Sequence, residues 1–192
     1  MMGDCKNFNV IEDYKGLTVE EVNEELRSTA FPYAVLMQHI MGDFNIGTLI
    51  RNANAFNAEK VFYFGKKRYR RTGTVGTHHY TDLNYLEDME ELQKLKSEYK
   101  FVGLDKTEDS KSFYQFDWGQ LELDYSKVGE KSLPATKKVL FLFGEENNGL
   151  IPEVLEMCDV ILHLPQYGSV RSINVGTASG IVMSAYTEVC SA

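Results

Sequence analysis

Five consecutive apolar residues, Val139-Leu140-Phe141-Leu142-Phe143, stop abruptly at Gly144. A strand that is apolar on both faces belongs at the centre of a sheet covered by helices on either side. The rest of the chain fits that demand. Strands are expected over Tyr33–Gln38, Val61–Phe64, Phe101–Leu104 and Val160–Leu164, alternating with helices from about Asn45 to Asn57, Leu86 to Tyr99 and Asn174 to Val189. Such alternation specifies an α/β domain with a mainly parallel sheet flanked by crossover helices.

The chain's first helix is of a different kind. Thr18-Val19-Glu20-Glu21 has the hydroxyl-then-carboxylate spacing of a capping box and opens a helix through about Arg27, which Phe31-Pro32 ends. Residues 1–30 therefore read as a short N-terminal extension and residues 31–192 as the main domain. Lys106 to Lys137 carries Phe113, Tyr114, Phe116, Trp118, Leu121, Leu123 and Tyr125. That is too apolar for an exposed linker, so the segment is expected to fold over the domain or meet a partner subunit.

The 43% hydrophobic and 25% charged content is that of a globular protein. No apolar run reaches the roughly 20 residues of a membrane span, and the first residues lack a secretory signal's pattern. Cys5, Cys158 and Cys190 are odd in number and far apart, as expected for reduced thiols in a cytoplasmic protein. A net charge of −8 argues against non-specific coating of nucleic acid. Cations are nevertheless concentrated in Lys66-Lys67-Arg68-Tyr69-Arg70-Arg71, between a strand and Thr72-Gly73-Thr74-Val75-Gly76. Lys67, Arg68, Arg70 and Arg71 are candidates for a phosphate clamp on a flexible loop, with Tyr69 placed to stack on a base. Solvated surface is the alternative. His78 and His79, on a strand, would point to opposite faces and could not share a metal; His39 and His163 are isolated. No metal site is expected.

Three junctions carry the functional signal. Asn45-Ile46-Gly47-Thr48-Leu49-Ile50-Arg51-Asn52-Ala53 opens a helix. Leu142-Phe143-Gly144-Glu145-Glu146-Asn147-Asn148-Gly149-Leu150 leaves the most apolar strand. Leu164-Pro165-Gln166-Tyr167-Gly168-Ser169-Val170-Arg171-Ser172-Ile173-Asn174-Val175-Gly176-Thr177-Ala178-Ser179-Gly180 runs from a strand into a small-residue helix. In this order the three resemble motifs one, two and three of the SpoU (TrmH) family of RNA 2′-O-ribose methyltransferases, within the SPOUT superfamily, over roughly residues 31 to 190.

The resemblance implies a SPOUT fold with a deep C-terminal trefoil knot, S-adenosyl-L-methionine as cofactor, tRNA or rRNA as substrate, and a homodimer paired through the last helix, whose small residues are Gly176, Ala178, Gly180, Ser184 and Ala185. It implies Asn45, Arg51, Glu146, Ser172 and Asn174 as the catalytic set, and Leu104, Gly144, Leu164, Val170, Ser172 and Ile173 around the cofactor. Arginine stays protonated, so Arg51 is better suited to orienting phosphate or stabilising alkoxide charge than to removing a proton. Asn174 could instead serve simply as an N-cap. The adjacent Glu145 and Glu146, Gln166 and Gly176 depart from the family pattern. A base methyltransferase of the same superfamily and a non-catalytic module binding RNA or cofactor are the competing readings. A P-loop is absent from Gly144–Gly149, and no GxGxxG turn supports dinucleotide chemistry.

Overall fold

The computed structural model describes residues 10–38, 43–65, 67–123, 138–145 and 148–191. Helix α1 (Val19–Ser28) precedes β1 (Phe31–Gln38), α2 (Asp43–Ala55), β2 (Ala58–Phe64), β3 (Leu83–Leu86) and α3 (Met89–Lys94). Then come β4 (Tyr99–Leu104), β5 (Lys111–Ser112), β6 (Lys138–Phe143), α4 (Pro152–Met157), β7 (Val160–His163) and α5 (Val175–Ser191). The strands form one sheet in the order β3-β2-β1-β6-β4-β7-β5, and every pairing is parallel.

The apolar run lies at the heart of this sheet, with β6 between β1 and β4. Alternation along the strands divides the core in two. Tyr33, Val35, Met37, Val139, Phe141 and Phe143 face α2 and α5, while Ala34, Leu36, Leu140 and Leu142 face α3 and α4. Helix α2 buries Ile46, Leu49, Ile50 and Ala53, the i, i+3, i+4, i+7 stripe of a helix with one covered face.

Where the element boundaries differ from expectation, local chemistry explains it. The helix expected over Leu86–Tyr99 cannot begin before Asp88, whose side chain caps it by accepting from the Glu91 N–H at 2.9 Å. Leu86 therefore closes β3 and Tyr99 opens β4. Strand β1 starts at Phe31 and includes Pro32, where the pairing with β2 shifts register because proline has no N–H to give. Helix α2 ends at Ala55, and Asn57 turns the chain with φ 46° while its amide donates to Leu26 O and Thr29 Oγ1. Thr18 and Glu21 form the expected capping box at α1. Val22 of that helix packs with Tyr80 in a small cluster separate from both main cores.

The segment from Lys106 folds over the domain. Phe113, Phe116, Trp118 and Leu121 are buried against the α2–α5 side of the sheet, with Trp118 4.6 Å from Tyr186 between ring centroids. Its continuation over 124–137 lies outside the described residues. The histidine pair also differs from expectation. His78 and His79 sit in a 3-10 turn, not a strand, and their rings stack with centroids 4.1 Å apart.

Candidate active site

In an open parallel sheet, ligands collect beyond the carboxyl ends of the strands. Here β6, β4 and β7 are neighbours, and Leu104 pairs with both Phe143 and Leu162, so the three strands end level. The loops leaving them begin at Gly144, Asp105 and Leu164. Leu104, Gly144 and Leu164, the residues implied around a cofactor, are thus brought together at one edge.

The loop after β6 is folded tightly on itself. Glu145 and Gly149 exchange backbone hydrogen bonds of 3.0 and 2.9 Å, and Gly149 adopts φ 68°. A Cβ added to Gly144 would lie 2.1 Å from the Gly149 carbonyl carbon, so only glycine permits this closure. The loop is then pinned from outside. Asp105 accepts from the Leu150 N–H at 2.8 Å, and Gln38, buried at the end of β1, accepts from the Ile151 N–H at 3.0 Å. Sequence reasoning missed both residues. The available signal was a polar side chain directly after, or at the end of, an apolar strand. Glu145 directs its carboxylate at Asn148, 2.9 Å away. Glu146 lies outside the described residues.

Motifs one and three meet through α2 and α5. Asn174 donates to Asn45 Oδ1 at 2.9 Å, while its own Oδ1 accepts from the Thr177 N–H at 3.1 Å. It is therefore both the N-cap of α5 and the link to α2. About two helical turns further along α2, Asn52 donates to Gly176 O at 2.8 Å and to Ser179 Oγ at 3.0 Å. Ser179 is fully buried. Asn52 was not singled out from the sequence, since a helical asparagine beside a known motif arginine carries no separate signal. The glycines of α5 serve this contact. A Cβ on Gly176 would approach Thr48 Cγ2 to 2.9 Å, and one on Gly180 would approach Asn52 Nδ2 to 3.1 Å. Both face α2 of the same chain, which corrects the expectation that they pack against a second subunit.

The opposite side of α2 meets the basic run. A Cβ on Gly47 would sit 2.5 Å from the Gly73 carbonyl carbon, so backbone touches backbone there. Arg51 follows Gly47 by four residues and so shares its helix face. It is exposed, as are Lys67, Arg68, Arg70 and Arg71. Residues Arg71–Thr74 form a 3-10 turn closed by Thr74 Oγ1 donating to Arg71 O at 2.7 Å, so the end of the basic run is a structured turn and not the flexible loop its sequence suggests. Lys67 lies 5.1 Å over the Tyr85 ring. The Tyr69 ring packs edge-on against Tyr63 at 5.6 Å, and burial raises its pKa; this ring is a support for the loop and is not presented for stacking.

Val170 and Ser172 are exposed in the loop entering α5, and Ile173 is half-buried. Two buried polar atoms on adjoining loops have no hydrogen-bond partner among the described residues: Gln166 Oε1 after β7 and Thr107 Oγ1 after β4. Unpaired polar atoms of this kind are costly unless a ligand or water meets them. Together with the glycine-lined approach at Gly144, they fit a polar, partly flat molecule held by backbone at the strand ends.

A wholly parallel sheet whose strand-end loops converge beside an exposed cationic turn defines an α/β enzyme suited to a polyanionic substrate. Residues 32–184 match the SpoU rRNA Methylase family. The chain belongs to that family of RNA methyltransferases. Among its relatives is the tRNA (guanosine(18)-2′-O)-methyltransferase of Aquifex aeolicus, 22% identical over 171 residues, covering 86% of this chain and 73% of that protein. The fold is similar to that of the A. aeolicus TrmH/SpoU tRNA modifying enzyme, with a TM-score of 0.68 at 22% identity over 88% of this chain and 83% of the other. It is also similar to the SpoU methyltransferase AviRb of Streptomyces viridochromogenes in complex with AdoMet, with a TM-score of 0.66 at 20% identity over 83% and 58% of the two chains.

Proposed function

We propose that this protein transfers a methyl group from S-adenosylmethionine to a ribose 2′-hydroxyl of tRNA, with guanosine 18 the first position to assay. The observation that carries this reading is the hydrogen bond between Asn174 and Asn45. It joins the cofactor-side loop of motif three to the helix bearing Arg51.

When bound, the cofactor supplies an electrophilic methyl carbon to which no metal need be added. The chain's task is to hold the hydroxyl in line and to manage the charge left when its proton departs. Leu104, Gly144, Leu164, Val170, Ser172 and Ile173 form the cofactor-side surface. Arg51 remains protonated and stabilises charge on the ribose oxygen or holds the adjacent phosphate. Asn45 and Asn174 fix the helix that carries it. Ser172 offers a hydroxyl at the same edge, and Glu146 the carboxylate of motif two. Lys67, Arg68, Arg70 and Arg71 extend the cationic surface along the RNA backbone.

The proposal includes residues 1–30 as an extension to a catalytic domain of residues 31–192, a trefoil knot in its C-terminal part, and a cytoplasmic location. No helix among the described residues is long and apolar enough to cross a membrane. It also includes a homodimer formed through the outward side of α5, where Ser184 and Val189 are exposed.

The test is single-turnover transfer of labelled methyl to unmodified tRNA transcripts, followed by mapping of ribose methylation. Labelling at one ribose, abolished by a 2′-deoxy substitution there, is expected. Methyl groups found on a base would transfer the reading to base methylation, and cofactor or RNA binding without transfer would favour a non-catalytic module. Arg51→Ala should lower the rate about 10²–10³-fold with cofactor affinity unchanged. A near wild-type rate would remove Arg51 from the mechanism.

A further inference from the structure

We propose that Gln166 reads the adenine edge of the cofactor through its side chain, accepting a hydrogen bond from the exocyclic amino group, with Thr107 completing the contact. The inference rests on the cofactor reading above and adds a specificity-determining pair to it.

Asp105 N donates to Leu162 O at 3.0 Å, so the loop after β4 sets out alongside β7. Ser110 donates to Thr107 O at 2.7 Å and lies 3.0 Å from His163 Nδ1, which ties the same loop to the last residue of β7. Thr107 and Gln166 are thereby held on neighbouring loops at the cofactor edge. Each has a polar atom without exposed surface and without a hydrogen-bond partner among the described residues. Two such orphans at one edge constrain what a molecule bound there must provide. Gln166 Oε1 is a neutral acceptor and requires an N–H or O–H.

The flanking walls, Leu104 and Leu164, pack into the main core. The Asp105 carboxylate at this edge already accepts from the Leu150 and Lys106 N–H groups, so an ammonium set against the leucines would lose more hydration than one neutral acceptor returns. A flat heterocycle with a neutral amino group suits both the apolar walls and the amide oxygen. The Thr107 hydroxyl, which can donate, suits a ring nitrogen beside that amino group.

The experiment compares calorimetric affinities for S-adenosylhomocysteine and S-inosylhomocysteine, whose ring carries a carbonyl in place of the amino group. Wild-type protein, Gln166→Met and Thr107→Val are measured, all checked by thermal unfolding. Methionine keeps the length and flexibility of glutamine without the acceptor. Wild type should prefer the adenine ligand at least about tenfold, the equivalent of one hydrogen bond. Gln166→Met should lose about that factor toward the adenine ligand alone. It should also unfold about 2–4 °C higher without ligand, because the orphaned acceptor is gone. Thr107→Val should weaken the adenine ligand to a smaller extent. Unchanged discrimination in Gln166→Met, or an equal loss for both ligands, would overturn the proposal while leaving the cofactor reading intact. Failure of wild type to bind either ligand would overturn both.

Discussion

Breaking the Asn45–Asn174 bridge should separate folding from catalysis, because Asn174 does two jobs with two atoms. Its Oδ1 accepts from the Thr177 N–H and its Nδ2 reaches Asn45. Loss of an N-cap costs about 1 kcal/mol, and a solvent-exposed hydrogen bond contributes about 0.5 kcal/mol. Asn174→Ala should therefore destabilise by about 1.5 kcal/mol, a fall in Tm of roughly 3–6 °C for a chain of this size. Asn45→Ala loses only the bridge and should fall by about 1–2 °C. Asn174→Ser keeps a cap but is too short to reach Asn45, so its Tm should stay within about 1–2 °C of wild type.

Turnover should follow the bridge and not the cap. Misplacing a catalytic group by about 1 Å costs on the order of 10²-fold, so Asn45→Ala, Asn174→Ala and Asn174→Ser should each slow single-turnover transfer by about 10–100-fold. The double variant Asn45→Ala/Asn174→Ala should be no slower than its slower parent, since both remove the same link. Multiplying losses in the double variant would show that the two asparagines act independently. Full activity in Asn174→Ser would show that the cap alone matters.

Replacing Lys67, Arg68, Arg70 and Arg71 with alanine should weaken RNA binding and flatten its salt dependence by up to about 3 in the log–log slope, leaving cofactor affinity nearly unchanged; an unaltered salt slope would make the run mere solvated surface. The Cys158 thiol is pushed up to about 12 and Cys190 to about 11, in each case chiefly by burial. In a Cys5→Ser background at pH 8, alkylation of the native protein should therefore run at least about a hundredfold slower than that of a small thiol, and comparable rates would refute the buried placement. Burial, then His79 and Arg71, hold the His78 imidazole below its ordinary value. Folding thus favours its neutral form, and the stability this contributes is present above about pH 6.5 and lost as the pH falls through the lower folded value. His78→Gln should flatten the decline of Tm on that side, and an identical pH profile would show that His78 does not titrate on unfolding.

Residue order alone made the sheet legible, because the apolar run of β6 and the strand–helix alternation admit few arrangements. Side-chain chemistry at the element ends was less legible. Asp88 delays the start of α3 and Asn57 turns the chain out of α2, yet both read in sequence as ordinary polar residues. The edge strand β5 is two residues long and owes its existence to β7, a contact no local pattern announces. Asp105 and Gln38 escaped notice for a related reason: each acts on a backbone N–H 45 or 113 residues away.

The small residues of α5 mark the deeper difficulty. Gly176 and Gly180 signal a close approach in any reading, but sequence cannot say to what. A dimer contact and an internal contact impose the same requirement of no Cβ. The structure assigns both glycines to Thr48 and Asn52, so α2 is locked to α5 within one chain along the face that begins at Asn45. Gly47 locks the other side of α2 to the basic turn at Gly73. Arg51 thus stands on a helix held on one side by the backbone contact of Gly47 with Gly73 and on the other by Thr48 and Asn52 set against Gly176 and Gly180. A long, exposed arginine is a poor instrument for precise charge placement unless its base is immobile. These glycines supply that immobility, and Gly47→Ala should accordingly slow methyl transfer through Arg51 while leaving the cofactor loops untouched.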